Sequence, residues 1–371
     1  MKVVWLGLRG IPGVMGGVEA HAEQICPRLV DLGCGTEVIV RSPYVPPGTT
    51  EFRGVRLRRL WAPRSKHLEA FAHSFLGVLY CALKRPDLVH IQAIGPAIMT
   101  PLARLLGLRV IVTHHGLDYD RQKWGQLAKR VLRLGEAWGM RFANARIAIS
   151  ETIESQMRAD YGVDCVRIPN GVDLPVLPDS TQRLEPFGLV PGRFVLLVSR
   201  LVPEKRHEDL IRAFSKAKIA DWKLALVGSS DHPDSYTAHI EELAANTPRV
   251  VMTGFQTGET LRQLFAHAGL FVLPSSHEGL PIALLEALSY GLPTIASDIP
   301  ASLEVGLPAE QYFPLGDTAR LSERIEFLAA RPHGPSDRER LRRWIAERYS
   351  WNDTSRATFA VYNSALGQTS P

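Results

Sequence analysis

Residues 275–298 read SSHEGLPIALLEALSYGLPTIASD, and the stretch sets two carboxylates, Glu278 and Glu286, in a run that otherwise looks like core. Pro281, Leu284, Leu285 and Leu288 fall at i, i+3, i+4 and i+7. This is the spacing of one buried stripe on a short helix, with Pro tolerated in the first turn and Gly291 placed to end it. Glu278 then lies in the loop ahead of the helix. At 100° per residue Glu286 projects roughly 150° from the centre of the Leu stripe, so it is not required to enter the core. The two carboxylates stand on the order of 10 Å apart along the axis and bracket the positive end of the helix dipole. That arrangement suits an anion at the helix start with polar groups to either side. Two solvated surface glutamates would show the same spacing, so the surrounding residues have to decide.

Working outward, the stretch is one unit of a pattern that fills the chain. In the carboxy-terminal half the β-rich runs RFVLLVS, KLALVG, RVVMTG, GLFVLPS and PTIAS are separated by helical patterns near 207–218, 235–245, 258–267 and 281–290. In the amino-terminal half KVVWLGL, TEVIV, VRLRRL, DLVHIQ, RVIVTHH and ARIAIS alternate with helical patterns near 17–32, 66–83, 95–106, 121–143 and 151–161. Strand and helix alternating in both halves predicts two parallel, helix-covered, doubly wound sheets. Such sheets bind ligands at the carboxyl ends of their strands, and two facing each other enclose a cleft. The Pro-rich run Pro175–Pro191 divides the halves. We therefore expect one domain over 1–175 and another over 186–350. A charged helix, Asp337–Arg348, is followed by a closing helix over 352–368 that crosses back to the first domain.

Composition narrows the class. A chain of 371 residues is long for one core, and 45% apolar content is ordinary for a globular protein. Cys26, Cys34, Cys81 and Cys165 form no CxxC pair, which argues against structural zinc or a disulfide framework and for a reducing cytoplasm. The apolar run Val3–Leu8 is too short for a signal segment and is cut by Arg9. The longest weakly polar run, FAHSFLGVLYCAL, is also too short to span a bilayer.

The charge is uneven: residues 1–175 hold 23 Lys and Arg against 15 Asp and Glu, while the remainder is slightly acidic. Seven Lys or Arg lie between Arg121 and Arg146 against the single Glu136, interleaved with Trp124, Leu127, Val131, Leu134 and Trp138. This is an amphipathic basic helix. It fits either an anionic membrane surface or an ordinary surface position with its apolar stripe in the core. No nucleic-acid-binding module frames these cations, so no nucleic-acid partner is expected.

Strand ends are where chemistry is sought. After the first strand comes GLRGIPGVMGGVEAHAEQI, whose glycines do not thread as the G-x-G-x-x-G of a dinucleotide fold. Gly16 and Gly17, directly before the helix, let backbone N–H groups approach a phosphate or simply make the turn. In VSRLVPEKRHEDL, Arg200 and Lys205 follow a buried run; two fixed cations can stabilise a departing diphosphate where no metal does.

Taken in order, SRLVPEK, VGSS, MTGF and LPSSHEGLPIALLEALSYGLPTIASD resemble the second domain of retaining family 4 glycosyltransferases of GT-B architecture, and GGVE, THHG and IPNGVD agree in the first half. GLDYDRQKWGQLAKR further resembles a bacterial branch that builds exopolysaccharide, capsule or lipopolysaccharide repeat units. The resemblance covers nearly the whole chain. It implies that Glu278 bonds donor-sugar hydroxyls, that Glu286 grips the ribose diol, and that the diphosphate lies between them on the Gly279–Leu280 backbone with Arg200 and Lys205. His115 matches the family's His beside the anomeric carbon; adjacent His114 reads as structural. Gly16, Gly17, Asn170, Gly254 and Phe255 complete the implied substrate-binding set.

The resemblance further implies a nucleotide-sugar donor, a saccharide acceptor carried by a polyprenyl diphosphate, no cofactor and no metal, despite the DxD-like Asp118–Asp120. Asp173 reads as a cap or hinge residue. No covalent nucleophile stands out, so retention by front-face attack rests on the resemblance. The alternatives are a non-catalytic sugar-nucleotide-binding GT-B partner and a GT-B sugar-nucleotide epimerase.

Overall fold

The computed structural model describes residues 1–63, 68–120, 125–231, 233–331 and 333–368. The chain divides into two compact units, Met1–Gly171 with Trp351–Pro371, and Val172–Ser350.

The first unit is built on β1 (Lys2–Leu6), β2 (Gly35–Arg41), β3 (Glu51–Phe52), β4 (Val55–Leu60), β5 (Leu88–Gln92), β6 (Val110–His114), β7 (Ala145–Ala148) and β8 (Val166–Arg167). They form one sheet in the order β3-β4-β2-β1-β5-β6-β7-β8. The β3–β4 pair is antiparallel and the other pairs are parallel. The connecting helices are α1 (Gly17–Asp31), α2 (Glu69–Lys84), α3 (Thr100–Leu105), α4 (Gln126–Phe142) and α5 (Glu151–Tyr161). Central β5 and β6 are buried at every position, as strands covered on both faces must be.

The second unit holds β9 (Phe194–Val198), β10 (Lys223–Val227), β11 (Val250–Gly254), β12 (Leu270–Leu273), β13 (Thr294–Ser297) and β14 (Tyr312–Phe313). They make an all-parallel sheet in the order β11-β10-β9-β12-β13-β14. Its helices are α6 (His207–Lys216), α7 (Ser235–Ala245), α8 (Gly258–His267), α9 (Ile282–Ser289), α10 (Pro300–Leu303), α11 (Thr318–Ala329) and α12 (Pro335–Ala346). The last helix, α13 (Trp351–Leu366), packs on α1 of the first unit. There Thr354 Oγ1 donates to the Pro169 carbonyl at 2.8 Å and the Tyr362 hydroxyl lies 2.6 Å from His90 Nδ1.

Two doubly wound parallel sheets are what the alternating pattern predicts. The differences are local. The sequence does not announce β3, β8 and β14, each two residues long, nor α10 and α11. The span near 95–106 begins as a 3₁₀ turn, Pro96–Met99, before α3. The helix expected from 121 is α4, from Gln126; Arg121, Lys123 and Trp124 lie outside the described residues. Pro281 caps α9 from just outside instead of entering its first turn. Leu284, Leu285 and Leu288 of that helix are fully buried, and Gly291 takes φ +70 where the chain leaves it. A Cβ at Gly291 would meet the Arg338 side chain and carbonyl, so the stop is fixed by packing as well as by dihedral. Among the described residues, no helix is long and apolar enough to cross a membrane. All four cysteines are free and buried.

Candidate functional site

In the second unit the chain winds from β9 toward β10 on one side, while β12 lies beside β9 on the other. The strand order therefore reverses at β9/β12, the place where an open parallel sheet leaves a crevice at its carboxyl end. The loops after these two strands carry Arg200, Lys205, Glu278, Gly279 and Leu280. They are pinned to each other: the Ser276 backbone N–H donates to the Glu204 carbonyl at 2.8 Å, and Ser276 Oγ donates to the same oxygen at 3.3 Å. Lys205 Nζ then pairs with Glu278 Oε1 at 2.5 Å, bringing together groups far apart in sequence. An ammonium has three donors, and this bond uses one of them. Arg200 is partly exposed in the loop after β9, and Leu280 is buried.

Two further contacts brace the cationic loop. His207, which opens α6, sits between Ser199 Oγ (2.9 Å from Nε2) and the Tyr236 hydroxyl (3.1 Å from Nδ1). Burial, and then the nearby Lys205 charge, drives its pKa down to about 3, so it acts as a neutral strut. Gly228 takes φ +140, and a Cβ there would strike the Ser199 carbonyl at 1.8 Å; the loops after β9 and β10 pass too close for any side chain. The sequence quotes this residue only as part of VGSS, and neither it nor the Ser199–His207–Tyr236 brace is flagged by spacing.

Glu286 lies on α9, its surface only partly covered, and no described residue hydrogen-bonds its carboxyl. The surrounding protein desolvates it enough to push its pKa up to about 7. It is a half-buried acceptor without a donor. Gly254 ends edge strand β11 with φ +70 and open space where a Cβ would point, and Phe255 beyond it is exposed. A groove of about 700 Å³, lined by Arg193, Trp222, His267, Arg331 and Arg338 among others, opens at the amino ends of these strands. It is at the wrong end of the sheet to serve Lys205 and Glu278.

In the first unit the order reverses at β1/β5. The glycine-rich loop after β1 is held by a clasp that the sequence reading missed. The carboxylate of buried Glu19 accepts from the Arg9 backbone N–H at 3.0 Å and from Arg9 Nε at 3.1 Å. The Arg9 charge and these bonds outweigh the cost of burial and hold the Glu19 carboxyl at about 2. Gly16 caps α1 with φ +146, and a Cβ there would collide with both members of the clasp, whereas one on Gly17 would meet nothing. Gly16 is thus required by the turn, and Gly17 is open.

His115 stands one residue past β6, with Nε2 2.8 Å from Gln92 Oε1 and its ring edge-on to His21 at 4.8 Å between centroids. Burial, followed by the neighbouring His21, His90 and His114, pushes its pKa well below the ordinary value, so the imidazole is neutral. Asn170 is buried with Oδ1 2.9 Å from His21 Nδ1. Its amide oxygen is turned to the ring that supports His115. His114 is structural: Nε2 is 2.8 Å from Glu136, and Nδ1 accepts from the Gly116 N–H at 3.2 Å. Asp118–Asp120 forms a 3₁₀ turn with Tyr119 facing inward. Among the described residues no group of three or more His, Cys, Asp or Glu is arranged to hold a metal.

Two parallel, helix-covered sheets with polar and charged groups gathered at their reversal points are the framework of a GT-B transferase, and the comparisons agree. Residues 16–171 match the Glycosyl transferase 4-like domain and residues 185–350 match Glycosyl transferases group 1. The chain belongs to this family of glycosyltransferases. It is 28% identical over 237 residues to the UDP-Gal:alpha-D-GlcNAc-diphosphoundecaprenol alpha-1,3-galactosyltransferase of Escherichia coli, covering 60% of each chain. In two other curated relatives the aligned stretch is 45% and 49% of their length. Among solved structures it superposes on the sucrose-phosphate synthase of Thermosynechococcus elongatus with a TM-score of 0.84 at 22% identity, covering 99% of both chains. It superposes on Anabaena HepE in complex with UDP and glucose with a TM-score of 0.80 at 17% identity, covering 98% of this chain and 100% of that one.

Proposed function

We propose that the protein transfers a hexosyl or deoxyhexosyl group from a nucleotide sugar, with retention of anomeric configuration, to a saccharide carried on a polyprenyl diphosphate in bacterial surface polysaccharide synthesis. The observation that carries this reading is the pinned pair Lys205–Glu278 beside the amino end of α9, with the desolvated, undonated carboxyl of Glu286 on the same helix. In it, Glu286 accepts from the ribose diol and Glu278 from donor-sugar hydroxyls. The diphosphate lies on the Gly279–Leu280 backbone, with Arg200 and Lys205 carrying its charge as it departs. The donor C1–O bond to the diphosphate breaks, a bond from C1 to the acceptor oxygen forms on the same face, and the acceptor proton passes to the leaving phosphate. Neutral His115 presents a lone pair to the positive charge that develops on the sugar. Gly17 and Gly254–Phe255 border the remaining substrate contacts. The relative whose name specifies a diphosphoundecaprenol-linked acceptor and an alpha linkage supports the acceptor class and the stereochemistry. The neighbour bound to UDP and glucose supports the donor class.

On this reading the chain works peripherally on the inner face of the plasma membrane, with the basic helix α4 toward the lipid. The cations take the place of a metal. The test is nucleoside diphosphate release with and without a lipid-linked saccharide acceptor, in the presence of EDTA. Release that requires acceptor and survives EDTA is expected. Acceptor-independent isomerisation of the donor would indicate an epimerase, donor binding without turnover a non-catalytic partner, and rescue by manganese or magnesium a metal at Asp118–Asp120.

A further inference from the structure

Helix α2 is built the wrong way round for a helix on the surface of a soluble domain. Its buried face carries Glu69, His73, Ser74, Gly77, Val78 and Cys81. Its exposed positions are Phe71, Phe75, Leu79 and Leu83, followed only at the end by Lys84. Steps of four residues turn the helix by 40°, so the four side chains form a stripe about 120° wide. Their exposure runs from 38% for Leu79 to 85% for Leu83.

The same layer repeats the pattern in α4. The sequence left open whether Leu127, Val131 and Leu134 enter the core; all three are exposed, and the buried residues of that helix are Gly135, Glu136, Gly139 and Met140. Right-handed crossovers from β4 through β7 put α2, α3 and α4 on one side of the sheet, and α3 touches both neighbours. These three helices carry six cations: Lys84, Arg104, Lys129, Arg130, Arg133 and Arg141. Their two carboxylates are both turned inward. Glu69 pairs with Arg41 at 2.9 Å, and Glu136 binds His114 at 2.8 Å and Tyr161 at 2.7 Å. The outer faces of α2, α3 and α4 are therefore apolar and cationic; the exposed carboxylates nearby, Asp120 ahead of α4 and Glu151 and Asp160 on α5, lie off these three helices.

We infer that this face docks on an anionic lipid bilayer, with the α2 stripe entering the headgroup–acyl boundary and the α4 cations on lipid phosphates. An apolar stripe beside clustered Lys and Arg is what such an interface selects. A second copy is a poor occupant, because a symmetric contact centred on α2 to α4 would set the cations of these helices against their own copies. The purpose of the docking rests on the proposed lipid-linked acceptor. The docking itself can be read without donor or acceptor, so failure of either statement leaves the other standing.

The test is co-sedimentation of the full chain with phosphatidylglycerol-containing and with pure phosphatidylcholine vesicles. Three proteins are compared: the wild type, Phe71→Ser/Phe75→Ser/Leu79→Ser, and Lys129→Glu/Arg130→Glu/Arg133→Glu. All the substituted side chains lie outside the buried core, and an unchanged Tm confirms folding. Wild type should bind the anionic vesicles only. The charge variant should bind them at least tenfold more weakly, since each cation is worth roughly fivefold. The apolar variant should lose tenfold or more and the part of the binding that survives raised salt. A Phe75→Trp probe should shift its emission to the blue on anionic vesicles. No binding to anionic vesicles at low salt overturns the inference, as does an unshifted probe with an unaffected apolar variant. A dimer in solution that the apolar variant dissociates overturns it too, as does an acidic protein that binds wild type and displaces the vesicles.

Discussion

The two units handle charge in opposite ways at their strand ends. In the first, the candidate site is a set of neutral rings: His115 on Gln92 and His21, and His21 on Asn170, with burial driving the imidazoles below their ordinary pKa. In the second, Lys205 and Glu278 meet as an ion pair at 2.5 Å, and burial raises the Glu286 carboxyl to about 7. A group transfer from a diphosphate needs both environments. The leaving group develops negative charge and calls for fixed cations, while the sugar carbon develops positive charge and is best met by an uncharged lone pair. On the proposed reading the difference between the units is a division of labour that substitutions can separate.

The largest effect is expected at the ion pair. Lys205→Ala should lower kcat by about 10²–10³-fold, the usual cost of removing one group that stabilises developing charge. Glu278→Ala should cost about 1.5–3 kcal/mol in kcat/KM, expressed mainly in turnover. The double variant should be less damaging than the product of the singles, because each single change leaves the other charge unpaired. Steady-state kinetics of the three variants checks this; strict multiplicativity would mean that the two residues act apart.

A smaller effect belongs to the first unit. His115→Ala should lower kcat by about 10–100-fold while leaving donor affinity near wild type. Gln92→Leu, which removes the bond to Nε2, should reproduce part of that loss. Since burial keeps His115 neutral, the kcat profile should show no imidazole inflection between pH 6 and 8. An inflection there that His115→Ala removes would make it a proton carrier instead of a neutral support.

The sequence makes much of this legible. The apolar spacing of Leu284, Leu285 and Leu288 marks a buried helix face, and the alternation of runs marks two parallel sheets; both are local periodicities that survive in one chain read alone. Strand-end positions of Lys205, Glu278 and His115 follow from the same alternation. Partnerships across the fold do not. The Lys205–Glu278 pair, the Arg9–Glu19 clasp and the turn of Asn170 toward His21 join residues on different elements, and no periodicity encodes them. Strands of two residues, such as Val166–Arg167 and Tyr312–Phe313, are too short to alternate. In α2 and α4 the pattern shows which residues share a stripe. Which stripe faces outward depends on the small and polar residues that the underlying structure accepts: Gly77 and Ser74 on α2, and Gly135 and Gly139 where α4 lies on the 94–98 turn.

The central claim, that the second unit holds a nucleotide sugar with ionised Glu286 on its ribose, is tested most directly by one thermal-shift panel. UDP-, GDP-, ADP- and dTDP-sugars would be compared at pH 6 and pH 8 on wild type and Glu286→Gln. A carboxyl with its folded pKa raised to about 7 is mostly protonated at pH 6 and mostly ionised at pH 8. The empty fold therefore loses stability as pH rises from the ordinary carboxylate range through about 7. Binding by an acceptor carboxylate gains over the upper part of that window, by up to about tenfold in affinity between pH 6 and 8. The account predicts that sugars of one base raise the Tm of wild type, more at pH 8 than at pH 6, and that Glu286→Gln shows a smaller rise with no such dependence. A panel in which no nucleotide sugar raises the Tm, or in which Glu286→Gln matches wild type at both pH values, would contradict it.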